Sequence, residues 1–151
     1  MACKIKWLER DLIRLPMYWT LCTSQKELIN VRKSLKVDGI EWPKKHANVT
    51  LLENSDGRLC AVVCISGWRE HTLEQNLALL VHEATHVWQY AREYINERNP
   101  SIEFEAYAMQ AITQTLFEAF TDTYNKVVKP VKDKNQKLSH KSGRYKVCMR
   151  T

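Results

Sequence analysis

Apolar and polar positions along this chain switch between a helical and an alternating period, and each stretch predicts an element. Ser24-Gln25-Lys26-Glu27 has the form of a capping box, and Leu28, Ile29, Val31 and Leu35 follow at near-helical spacing. A short helix over about 25–36 is expected, after which Gly39 and Pro43 punctuate a loop. Residues 48–53 (NVTLLE) and 58–66 (RLCAVVCIS) are β-rich runs, and Asp56-Gly57 between them predicts a hairpin. Cys60 and Cys64 share one face of the second run with Val62 between them, which reads as core packing rather than reactive thiols.

Thr72-Leu73-Glu74-Gln75 is a second capping box, and it opens the longest helical pattern, about 73–95. Asn99-Pro100-Ser101 then starts another helix over about 101–126, with Pro130 at or beyond its end. Ile102, Ala106, Met109, Ile112, Leu116, Phe117 and Phe120 supply its apolar stripe. The expected order is a short N-terminal helix, a small antiparallel hairpin and two long helices, an α+β fold.

Composition narrows the class. At 151 residues, 44% hydrophobic and 26% charged, the chain suits one globular domain. No window approaches the roughly eighteen apolar residues of a membrane span. The opening MACKIKWLERDL has no apolar h-region, so no secretory leader is expected. Five cysteines without a CxxC pair argue against a disulfide framework and a cysteine zinc site, and a cytoplasmic location is expected.

Charge is uneven. The net charge is +6, yet residues 126–151 hold nine basic residues against Asp133 alone, so the whole basic excess lies there. The expected division is therefore a domain over 1–127 and a basic, flexible tail over 128–151. Such a tail suits a weak contact with nucleic acid or an acidic partner, or serves only as a solubilising end. The five tryptophans read as core and rim residues.

The chemistry concentrates in His82-Glu83-Ala84-Thr85-His86, within the first long helix. Histidines four apart lie on one helix face about 40° apart, so their rings can converge on one ion with Glu83 beside them. That is the HExxH arrangement of two zinc ligands and a general base. Leu73, Leu77, Leu80, Ala84, Trp88, Ala91 and Ile95 define an apolar face roughly opposite, so the pair points away from the core.

Catalytic zinc usually takes a third protein ligand. No histidine follows closely after His86, since the next is His140, and the acidic candidates are Glu103 and Glu105 at the start of the following helix.

HEATHVWQ followed by EFEAYAMQ resembles the gluzincin pattern, and small metallopeptidases encoded by phages and prophages, over about 72–115. The resemblance implies a minimal zincin-like fold, a Zn2+ cofactor and a third ligand that opens an ExxA motif. Laid on that motif, Glu103 is the ligand and Tyr107 replaces the usual acidic residue, whereas helical periodicity prefers Glu105. Both stay open.

The implied reaction is hydrolysis of a peptide or protein substrate, with Glu83 as general base. His71, Tyr90, Tyr94 and Tyr107 are candidate oxyanion donors or outer supports of the site. By the same resemblance, Cys60, Ala61, Val62, Val63, Cys64, Ile65 and Ser66 are candidates for a sheet edge that receives substrate, against an ordinary internal strand. A phage-encoded protein of this kind works in the host cytoplasm. Two rival expectations are a zinc-containing binding or inhibitor module without catalysis, and a nucleic-acid-associated protein that uses the basic tail.

Overall fold

A computed structural model describes residues 5–8, 15–53 and 56–128. The basic stretch beyond Val128 lies outside the described residues, and with it the reading of that segment as a flexible tail. The elements run β1 (Met17–Cys22), α1 (Gln25–Leu35), β2 (Ala47–Glu53), β3 (Leu59–Ile65), a 3-10 turn (Trp68–Glu70), α2 (Leu73–Tyr94) and α3 (Ile102–Val128). The fold is mixed α and β, as expected, but its layout differs from helix, hairpin and two long helices.

The difference is β1. It pairs in parallel with β3, from Met17 opposite Leu59 to Cys22 opposite Cys64, and β2 pairs antiparallel on the other side. Among the described residues the sheet order is β1-β3-β2, so the first described element is a strand and the expected hairpin is two thirds of a three-stranded mixed sheet. This also corrects the candidate substrate edge. Cys60–Ser66 is not an edge, because β3 is hydrogen-bonded on both sides and every residue from Leu59 to Ile65 is buried. An unbroken apolar run is what a central strand needs when helices cover both faces.

One face of the sheet carries the main core. Met17, Trp19, Ala61, Val63 and Ile65 meet Leu80, Ala84, Val87 and Trp88 of α2 and Ile112, Leu116 and Phe120 of α3. The opposite face packs Cys22, Val62 and Cys64 against Leu28 and Val31 of α1 and Ile40 of the following loop. The Cys22 thiol is pushed up by its hydrogen bond to Cys64 and by burial, which fits buried thiols used as packing.

The buried indoles all find acceptors, as a buried Trp N–H requires. Trp19 donates to Thr115 Oγ1 at 2.9 Å, Trp68 to the Thr23 carbonyl at 2.9 Å, and Trp88 to Glu105 Oε1 at 2.8 Å. Gly57, with φ +71°, takes the left-handed turn between β2 and β3 that the Asp-Gly pair predicts. No helix among the described residues is long and apolar enough to cross a membrane.

Candidate metal and hydrolytic site

The phase of α2 is set at its first turn. Thr72 accepts from the Gln75 amide while the Gln75 side chain accepts from the Thr72 amide at 2.9 Å, which closes the capping box. From that start, Leu80, Ala84, Val87, Trp88 and Ala91 fall on the buried face. His82 falls on the exposed face, His86 is half-buried, and Glu83 lies at the margin with only 4% of its surface exposed.

The two histidines converge. Their Nε2 atoms are 3.1 Å apart, with ring centroids 4.8 Å apart. Two nitrogens at about 2.0–2.1 Å from a common tetrahedral ion stand roughly 3.3 Å apart, so the pair fits one metal. His86 Nδ1 lies 3.0 Å from Gln89 Oε1. When Nδ1–H donates to that amide oxygen, the lone pair rests on Nε2, the tautomer that a ligand needs. Gln89 escaped the sequence reading, although its place three residues after His86 on the same face was a readable signal.

Glu83 lies beside this pair. Burial pushes its carboxyl above the ordinary Glu range, against the opposing pull of His82 and then His86. A carboxylate so placed holds a proton more readily than a solvated one, as a proton carrier at neutral pH requires.

A cleft of about 540 Å³ opens here, with Glu83 and His82 on one wall and Gln75, Ala78 and Leu79 along its α2 side. Lys45, His46 and Ala47, where β2 begins, and His71, ahead of α2, complete it. His71 is thus the one candidate oxyanion donor that lines this cleft. Tyr90 packs against the main core, while Tyr94 and Tyr107 are exposed by 53% and 50%. His46 was also missed by sequence reasoning, and nothing in its local sequence marks it.

The third-ligand candidates separate. Glu103 is exposed, whereas Glu105 is half-buried and accepts the Trp88 indole proton. Among the described residues, no three His, Cys, Asp or Glu side chains are grouped as a ready-made metal site. The structure therefore converges His82 and His86, sets Glu83 beside them and places His71 on the same cleft as His82 and Glu83, and it brings neither Glu103 nor Glu105 to the pair.

The free sheet edge near the cleft belongs to β2. Ser66 N donates to His46 O at 2.8 Å, and the pairing of Ala47 with Ile65 continues that register. Alternation along an antiparallel ladder then turns the backbone groups of Ala47, Val49, Leu51 and Glu53 away from β3. Comparison with protein-family models, curated proteins and solved structures finds no match to this chain.

Proposed function

We propose that this chain is a small zinc-dependent peptidase with a zincin-like arrangement, and that His82, Glu83 and His86 carry its chemistry. The observation behind this reading is the convergence of the two Nε2 atoms at 3.1 Å beside a buried carboxyl, at a cleft large enough for a peptide segment. His82 and His86 would hold the ion, with Gln89 fixing the His86 ring. Zn2+ bound there would supply a lowered water pKa and a polarised carbonyl. Glu83 takes a proton from the attacking water and delivers it to the leaving amine, and its desolvated carboxyl suits both transfers. His71 faces the same cleft and is the proposed donor to the developing oxyanion.

Neither glutamate stands with the histidine pair, so a third ligand would have to be drawn in; of the two we propose Glu105, which is half-buried and already packs on α2 through Trp88, whereas Glu103 is exposed. The proposed seat for an extended substrate moves from β3 to the outward backbone groups of β2.

The test is metal content by mass spectrometry on untagged protein, with peptide hydrolysis measured in parallel. About one zinc per chain, lost in His82→Ala, together with hydrolysis abolished in Glu83→Gln at full zinc content, is the expected result. A wild type that takes up no metal when zinc is supplied overturns the reading.

The second reading, a metal-binding module without catalysis, is favoured by the engagement of Glu105 with Trp88. It predicts full zinc uptake with no hydrolysis that depends on Glu83.

A further inference from the structure

We propose that His46 and His71 form a second divalent-metal site in the cleft, separate from the His82–His86 pair. Their ring centroids are 5.0 Å apart, close to the 4.8 Å of the HExxH pair. Two imidazoles sharing one ion at about 2.0–2.1 Å per nitrogen, with ligand angles near tetrahedral, place their centroids roughly 5 Å apart. The Nδ1 atom of His71 is buried and has no hydrogen-bond partner, a state that buried polar atoms seldom keep without a water or an ion.

Both residues are held in place from behind. The His46 carbonyl accepts from Ser66 N at 2.8 Å, so the β2–β3 ladder fixes that backbone. His71 follows a 3-10 turn anchored twice, by Trp68 Nε1 on the Thr23 carbonyl and by Asn76 Nδ2 on the Trp68 carbonyl at 2.8 Å. Residues 25 apart in sequence are thereby presented together on a rigid base, which lowers the ordering cost of binding an ion.

Imidazole ligands suit Zn2+, Co2+, Ni2+ and Cu2+ rather than Mg2+ or Ca2+. Two protein ligands leave the other positions to water or to an oxygen of whatever occupies the cleft, so this site is the weaker and more exchangeable of the two. Coordination through Nδ1 leaves the proton on Nε2, so metal binding and hydrogen-bond donation by His71 do not compete. The inference does not depend on peptidase activity, since neither residue belongs to the HExxH pair.

The test uses the full chain, untagged, in a His82→Ala, His140→Ala background, and titrates Co2+ by calorimetry and by its visible spectrum. The expected result is about one Co2+ per chain, without a thiolate charge-transfer band, bound at least tenfold more weakly when His46→Ala or His71→Ala is added. Unchanged affinity in both added variants, a thiolate band, or no uptake in the background overturns the proposal. Should circular dichroism show His71→Ala unfolded, the exposed His46→Ala and the more conservative His71→Gln decide by the same criterion. Activity is not read at all, so failure here is distinct from failure of the peptidase reading.

Discussion

The indole of Trp88 on α2 donates to Oε1 of Glu105 on α3 at 2.8 Å, joining the helix of the histidine pair to the helix of the acidic candidates. Glu105→Ala strands a buried N–H and should cost about 1–3 kcal/mol in urea denaturation. Glu103→Ala, on the exposed side, should stay within about 0.5 kcal/mol of wild type. Under the proposed function, Glu105→Gln keeps an oxygen for the indole yet weakens zinc by at least tenfold in competition with a chelator. A loss confined to Glu103→Gln would return the third ligand to Glu103.

Burial raises the Glu83 carboxyl, and the sign of that shift fixes a pH dependence. A carboxyl raised on folding contributes stability below its unfolded value near 4.5, and that contribution is lost as pH rises through the folded value. Ionised Glu83 therefore strains the metal-free fold at neutral pH. Glu83→Gln should stabilise metal-free protein at pH 7, raising its thermal midpoint, and the gain should shrink toward pH 4. Equal midpoints at both pH values would count against the desolvation of this carboxyl.

Proline scanning of β2 separates fold from substrate seat. Thr50 lies opposite Val62 in the register that pairs inward, so Thr50→Pro removes a ladder bond and should cost about 3 kcal/mol or more. Val49 turns its N–H outward, so Val49→Pro should cost clearly less in denaturation while raising KM for peptide hydrolysis. A Val49→Pro enzyme with unchanged KM would remove β2 from the substrate path.

Asn76 is fully buried and its side-chain amide holds the Trp68 carbonyl. Asn76→Leu should destabilise by about 1–3 kcal/mol, because that carbonyl loses its partner inside the fold. Its distinguishing mark should be local, with faster amide exchange in residues 67–72 than in α3. Uniform loosening would show that Asn76 supports the whole core instead.

Much of this was readable from the residues. The two capping boxes placed the starts of α1 and α2, since each reciprocal bond involves neighbours in sequence. Asp56-Gly57 placed the β2–β3 turn for the same reason. β1 was not readable. Met17, Trp19 and Leu21 pack on one core while Cys22 packs on the other, so both faces of MYWTLC are covered and the apolar–polar contrast of a half-buried strand is weak. Its partner β3 lies some forty residues away in a parallel pairing that no turn announces. Without β1, β3 reads equally well as a sheet edge or as an internal strand. At the site, His82, Glu83 and His86 were legible because one helix carries all three. The meeting of His46 with His71 depends on how a strand and a loop settle against α2, and local patterns do not encode that.

The capping box at Thr72 lies ten residues before His82, with unbroken helix between them. Helical rise turns each added residue by about 100°, so the box acts as the zero mark of a dial. One residue inserted between Thr72 and His82 would leave the HEATH string intact yet swing it by more than a quarter turn, moving Glu83 and the histidines to different faces. The site is thus specified as an angle measured from Thr72, and two chains with the same motif but different lengths of helix before it would present different chemistry to the cleft.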